Sequence, residues 1–201
     1  DRVLAETSTL ALADKERAQR DLAAFGVTML DCPLSGSGSQ AKTRDVLVYG
    51  SGPVDAWERC LPVLHGFSRG PHHLGAFGNG SKMKYVANLL VAIHTVAAGE
   101  AFALARKAGL DPAQMFEVVA DGAGGSRALQ VRGDMLIADR YQPVETMPLD
   151  LWRKDLKVIA EFAAELGCPT PMFAAGSALF QAAVASGFGA QDTAAVALVS
   201  E

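Results

Sequence analysis

An α/β segment followed by an all-helical segment is the fold class this sequence predicts, with the division between residues 79 and 80. Two observations predict it. Ahead of Gly80, short apolar, β-branched runs are bounded by Gly/Ser turns and alternate with helical stretches. Beyond Gly80 every apolar stretch is helix-forming, and Gly109, Gly167 and Gly187 supply C-terminal stops.

Taken in order, Leu10 to Phe25 predicts a helix with Asp14-Lys15-Glu16-Arg17 on its wet side and Gly26 as its stop. Val27 to Leu34 predicts one buried strand that runs into a Gly/Ser loop, and Val46-Leu47-Val48-Tyr49 predicts a second strand. After the Gly50-Ser51-Gly52 turn, Pro53 takes a first helical position ahead of Val54–Leu61. His72 to Gly75 is a short extended piece that closes the first part. A long helix is predicted from Ser81 to Ala108, then helices over Pro112–Ala120, Arg127–Ala138, Leu151–Leu166, Pro171–Ala185 and Asp192–Val199.

Half of the residues are hydrophobic and a fifth are charged, which is enough to build a sizeable core at this length. A net charge of −4 provides no broad basic surface, so nucleic acid is not an expected partner. Cys32, Cys60 and Cys168 are odd in number and widely separated. They form neither a disulfide framework nor a metal-ligand pattern, and read as reduced thiols of a cytoplasmic protein. No metal site is expected. His72 and His73 are adjacent and face opposite sides of a strand, and His65 and His94 are isolated.

The long helix spans roughly 42 Å at 1.5 Å per residue and is apolar around most of its circumference. His94, Glu100, Arg106 and Lys107 interrupt it, so it reads as a core helix and not as a membrane span. A helix apolar on all sides must be covered on all sides. A second subunit is the expected cover for whatever the rest of the chain leaves open.

Two segments carry chemistry. Lys84 and Asn88 are four apart near the start of the long helix, so the ammonium and the amide project into the same space. A cation in the first turns opposes the helix dipole by roughly 0.3–1 kcal/mol, which suits an anion or a reaction better than helix stability. On spacing alone, a surface lysine beside a satisfied buried asparagine is an equally good reading. The second segment is the loop Ser35-Gly36-Ser37-Gly38-Ser39 at the end of a strand, whose N–H groups and hydroxyls suit a carboxylate or phosphate. Gly36 to Ala41 also fits the G-x-G-x-x-G/A dinucleotide fingerprint. That fingerprint needs a helix within a βαβ unit, and the strand at Val46 follows too soon to allow one.

Together these segments resemble the β-hydroxyacid dehydrogenase family, which includes 3-hydroxyisobutyrate dehydrogenase and tartronate semialdehyde reductase. The D-x-P-V-S-G-G substrate loop of that family is similar to Asp31-Cys32-Pro33-Leu34-Ser35-Gly36-Ser37. Its G-x-G-x-x-x-K-x-x-x-N motif is matched by Gly78, Gly80, Lys84 and Asn88, and its K-D-L by Lys154-Asp155-Leu156. Ser8-Thr9-Leu10 looks like the S-T-I/L element beside the nicotinamide, and Gly187, Gly189 and Asp192 match a late G-x-G-x-x-D. The 6-phosphogluconate dehydrogenases share the Lys–Asn spacing but have His where Ser81 stands, and imine reductases usually lack the lysine.

The resemblance implies residues 1–79 as the C-terminal part of a Rossmann domain and residues 80–201 as a helical substrate and dimerisation domain. It implies an NAD- or NADP-dependent oxidoreductase that interconverts a small β-hydroxy acid and its semialdehyde or keto form. Lys84 would act as general acid/base, Ser35, Gly36 and Ser37 would hold the substrate carboxylate, and Asn88 the reacting hydroxyl. Proton transfer by Lys84 requires an amine brought below the usual ammonium range, to which the helix N-terminus, Lys82 and burial all contribute. Thr9, Lys154 and Asp192 are the cofactor-side expectations. Lys154 is by itself an ordinary solvated lysine, and Asp192 reads equally as the N-cap of the last helix. Arg127 stands where the family has Trp and suits a second anionic group on the substrate. In the family a glycine-fingerprint half precedes the S-T-I element, so this chain is expected to be inactive in isolation. The alternative reading is a non-catalytic helical dimerisation module. A homodimer or higher homo-oligomer is expected under either reading.

Overall fold

The computed structural model describes residues 2–200, which form two compact units that divide between Ala87 and Asn88. The division falls within one helix, α4 (Asn79–Lys107), so that helix contributes to both.

In the first unit, β1 (Arg2–Glu6) and β2 (Val27–Asp31) are parallel, with Arg2 opposite Val27 and Glu6 opposite Asp31, and α1 (Leu12–Ala23) is the crossover between them. Arg2–Glu6 has no strong strand signature, and the sequence reading assigned it no element. A second sheet orders β3 (Leu34–Ser35), β4 (Leu47–Gly50) and β5 (Gly70–His73) side by side, β3–β4 antiparallel and β4–β5 parallel. The five-residue α2 (Gly38–Lys42) joins β3 to β4, and α3 (Val54–Phe67) joins β4 to β5. Pro53 stands one residue ahead of α3. The core gathers Leu30, Cys32, Val48, Ala56, Trp57 and Leu64.

The single strand expected over Val27–Leu34 is two strands that belong to different sheets. The Cys32 N–H donates to Glu6 O on the β1 side, whereas Pro33 O accepts from Tyr49 N on the β4 side. Proline has no N–H to hold it in the first ladder. A pair of hydrogen bonds between Asp31 and Ser51 ties the sheets together at this crossing. The chain therefore delivers Asp31 and Ser35 to different sheets from one short segment.

The second unit is helical: the remainder of α4, then α5 (Pro112–Ala120), α6 (Arg127–Ala138), α7 (Leu149–Glu165) and α8 (Pro171–Ala183). Asp111 caps α5 through Gln114 N, and Ser126 caps α6 through Leu129 N. Gly187, at φ 91°, breaks the turn Val184–Phe188 that follows α8. The final helix expected over Asp192–Val199 is a 3-10 helix, Thr193–Val199. Leu136, Leu149, Ile159, Phe173, Phe180 and Val196 form the buried centre, and Trp152 meets Phe180 edge-on at 6.3 Å.

By length and composition α4 and the stretch Pro171–Phe188 could each cross a membrane. Along α4, however, Ala92, Phe102, Ala103 and Ala105 are buried by the protein, while Val86, Leu90 and Leu104 remain exposed. Part of its apolar circumference is thus covered within the chain and part is open.

Candidate active site

The start of α4 is held by a buried polar cluster. Asp31, at the end of β2, accepts from Ser81 N (2.8 Å), Ser81 Oγ (2.8 Å) and Ser51 Oγ (3.2 Å). Gly80 N donates to Ser51 Oγ at 2.9 Å. The first N–H groups of a helix have no partners within it and carry the positive end of its dipole. Here a carboxylate and a hydroxyl of the chain itself take that place. Only glycine fits at position 80, since a Cβ would stand 2.1 Å from Tyr49 O and 2.8 Å from Asp31 O.

Lys15 completes the cluster, contrary to the expectation that it lies on the wet side of its helix. It is 1% exposed, and its Nζ donates to Ser8 O (2.6 Å) and to Asp31 Oδ1 (2.8 Å), with Glu6 Oε2 at 2.7 Å. Burial alone would raise the Glu6 carboxyl. Hydrogen bonds from Lys15 and Ser8, with the Lys15 charge, outweigh it and hold the group below its ordinary value. The Cys32 thiol next to Asp31 is pushed up to about 12, first by burial and then by the Asp31 and Cys60 charges.

From this anchored end α4 presents Lys84 one turn further on, buried to 9% exposure, with Asn88 a turn beyond it. Lys82 points elsewhere, is exposed, and reaches back to Asn79 Oδ1 at 3.4 Å. Asn88 is buried, and its Nδ2 donates to Asp155 Oδ2 at 2.9 Å. A carboxylate only accepts, so the amide must turn its NH2 to Asp155 and its carbonyl oxygen away. Asp155 is itself buried and also accepts from Lys154 at 2.9 Å. Asp155 was legible in K-D-L, yet only its lysine neighbour was given a role.

In the candidate anion loop, Ser35 is half-buried at the end of β3 and Gly36 is exposed with φ 142°, a conformation that favours glycine. Ser37 caps α2: its Oγ accepts from Gln40 N and its own N–H donates to Gln40 Oε1 at 2.9 Å. One of the three expected backbone donors is therefore engaged by the chain. Because α2 has only five residues and β3 and β4 are antiparallel, the Gly36–Ala41 match is no pyrophosphate loop. Thr9 is half-buried in the loop at the carboxyl end of β1.

Besides Asn88, three site expectations fall in the helical unit. Lys154 is 51% exposed on α7 and borders a groove of about 560 Å³ with Arg153, Lys157 and Ser177. Arg127 opens α6 and is exposed. Asp192 is fully buried. Its carboxylate accepts from Glu145 N, Thr146 N, Thr146 Oγ1, Thr193 Oγ1 and Ala194 N, which makes it the N-cap of the last helix and a clasp on the preceding loop. Arg132 lies in the same region, lowered by burial and supported by the Asp192 charge. Among the described residues no group of three or more His, Cys, Asp or Glu is placed to hold a metal ion.

An α/β unit runs through one long helix into a helical unit, with Lys84 and Asn88 a turn apart near that helix's start. Family models agree over both parts. One described as the NAD-binding region of NADP-dependent 3-hydroxyisobutyrate dehydrogenase matches residues 78–199, and one described as the NAD binding domain of 6-phosphogluconate dehydrogenase matches residues 1–86. L-threonate dehydrogenase of Escherichia coli K12 is 35% identical over 191 residues, covering 94% of this chain and 63% of that protein. 3-Hydroxyisobutyrate dehydrogenase of Pseudomonas aeruginosa is 32% identical over 185 residues, 89% of this chain and 61% of that one. Among solved structures, 3-hydroxyisobutyrate dehydrogenase from Salmonella typhimurium superposes with a TM-score of 0.91 at 31% identity, covering 98% of this chain and 69% of its own. The chain belongs to the β-hydroxyacid dehydrogenase family of NAD(P)-dependent oxidoreductases. It spans a little under two thirds of the length of the curated relatives it matches.

Proposed function

We propose that the protein carrying this chain is an NAD(P)-dependent dehydrogenase or reductase of a small β-hydroxy acid, with Lys84 as the proton-transferring group. The observation that carries the reading is the anchored α4, which buries an ammonium one turn past a fixed helix start and follows it with an amide locked in one orientation. Neither buried polar group is needed for a helix that could have been apolar there.

The residues present fit the nicotinamide end of such a cofactor. Thr9 lies in the loop beyond the carboxyl end of β1, the side on which open α/β sheets receive ligands. Lys154 is the cofactor-side cation of the helical unit. No strand–glycine loop–helix unit for a pyrophosphate occurs among the described residues. When bound, the nicotinamide supplies the two-electron exchange at the carbinol carbon.

The chain's own part is positioning and proton transfer. In oxidation, neutral Lys84 takes the hydroxyl proton as the C–O bond becomes a carbonyl, and in reduction the ammonium returns it. The outward carbonyl oxygen of Asn88 accepts from the substrate hydroxyl or from the Lys84 ammonium. Ser35 and Gly36 receive the substrate carboxylate, and Ser37 joins them if Gln40 releases its N–H. The L-threonate dehydrogenases among the relatives favour a polyhydroxylated acid, and Arg127 suits an additional anionic group.

Turnover assays of the full-length protein with L-threonate, 3-hydroxyisobutyrate and related acids, each with NAD and NADP, test the reading. Reduction of neither cofactor by any hydroxy acid overturns it. The exposed Val86, Leu90 and Leu104 of α4 further support a homodimer, and a monomeric mass by light scattering would contradict that.

A further inference from the structure

Lys15 Nζ donates to the Ser8 carbonyl and to Asp31 and pairs with the Glu6 carboxylate at 2.7 Å. It is 1% exposed, so it is not placed to meet a substrate directly. Its partners, however, lie on the two pieces that the proposed reaction must bring into register. Ser8 belongs to the loop that presents Thr9 to the cofactor side. Asp31 holds the first residues of α4, from which Lys84 projects.

Stability is a poor reason for this arrangement. Two carboxylates share one ammonium, so the cluster keeps an excess negative charge, and buried ion pairs are commonly no better for stability than apolar residues of like volume. What the cluster supplies is geometry. Two hydrogen bonds and an ion pair at one nitrogen tie the Ser8 carbonyl to β2, and Asp31 passes that constraint to Ser81. Ser81 is three residues, and so one turn, before Lys84. The charged groups of this neighbourhood include Glu6 on β1, Lys15 on α1, Asp31 on β2, Lys82 and Lys84 on α4 itself and, bonded to Asn88 a turn further on, Asp155 with its partner Lys154 on α7.

We propose that Lys15 is a positioning residue for the reaction at Lys84, acting through Asp31 on the start of α4 and through the Ser8 carbonyl on the cofactor-side loop. The proposal rests on Lys84 as the proton-transferring group. Lys15 also shields the Asp31 charge. Without it, an uncompensated carboxylate bonded to Ser81, one turn before Lys84, favours the charged form of that amine.

Three variants of the full-length enzyme test this: Lys84→Ala, Lys15→Met and Ser81→Ala, each checked for folding by circular dichroism and assayed for oxidation across pH. The expected result for Lys15→Met is a fall in kcat of about tenfold or more. The limb on which kcat rises with pH should also move upward by at least about half a unit. Lys15→Met with wild-type kcat and limb overturns the proposal, and so does a fall in kcat with the limb unmoved, which marks a structural role only. Where Lys15→Met does not fold, Ser81→Ala decides. It removes one of the two bonds between Asp31 and α4, and should lower kcat with cofactor KM unchanged. An unaltered kcat there overturns the coupling. If Lys84→Ala keeps its turnover, the Lys84 reading itself has failed and this proposal falls with it. If Lys84→Ala is inactive while folded Lys15→Met is unaffected, only the role of Lys15 is lost.

Discussion

Replacing Asp155 by alanine removes the carboxylate that orients Asn88, and the cost can be worked from the geometry. The Nδ2–Oδ2 bond is 2.9 Å and both side chains are buried, so it is a charge-assisted hydrogen bond with little competition from water. Such bonds contribute about 1.5–3 kcal/mol, and the amide left behind has no other acceptor supplied by the substitution. The second bond of Asp155, to Lys154, adds about 0–1 kcal/mol, because that lysine is half in solvent. Asp155→Ala should therefore destabilise the chain by about 1.5–4 kcal/mol, or about 3–16 °C in Tm for a protein of this size. Lys154→Ala should cost under about 1 kcal/mol. Urea titration followed by circular dichroism, with an unchanged m-value, gives the comparison. The sharper measurement is the double-mutant cycle of Asn88→Ala with Asp155→Ala, for which a coupling of about 1–3 kcal/mol is expected. A coupling below about 0.3 kcal/mol would mean that Asp155 does not hold the amide, and the assigned orientation of Asn88 would go with it.

In the full-length enzyme, Lys84→Ala should lower turnover about 10²–10⁴-fold with cofactor affinity nearly unchanged. Lys84→Arg should fail too, since a guanidinium does not release its proton, whereas Lys82→Ala should cost little. Retained activity in Lys84→Ala, with loss in Lys82→Ala, would show that the wrong helix face was chosen. Because the Glu6 carboxyl is held below 4.5, the stability it confers is complete above that pH and is lost as pH falls through its folded value. The Tm of wild-type chain should thus drop on acidification below about 4.5, and a drop of equal size in Lys15→Met would contradict the assigned cause. Thiol labelling of the folded chain at pH 8 should reach exposed Cys168 first and spare Cys32, whose thiolate forms only near pH 12. Rapid labelling of Cys32 without denaturant would refute its burial.

The helices were legible because their punctuation is local. Pro112 and Arg127 follow Asp111 and Ser126 as N-caps, and both helices start and end where the sequence places them. The strands of the first unit were less so. Nothing in Val27–Leu34 marks a change of sheet except Pro33, and Arg2–Glu6 becomes a strand only because Val27–Asp31 lies beside it. At the candidate site, Lys84 and Asn88 could be read from helical spacing, but the groups that fix them could not. Asp31 and Ser81 are fifty residues apart, Asn88 and Asp155 sixty-seven. Lys15 was misplaced for the same reason. Its charged neighbours along α1 suggest a wet face, and the two carboxylates that draw it inward come from the ends of β1 and β2.

The clasp at Asp192 bears on where this chain tolerates shortening. A segment near a terminus is often trimmed without harm when its backbone is exposed and lightly bonded. Here Asp192 satisfies two N–H groups and a hydroxyl of the 145–146 loop and faces the buried Arg132 guanidinium. Recombinant versions that stop before Asp192 would take the counter-charge and the Thr193 hydroxyl from that guanidinium and strip the loop of its acceptor.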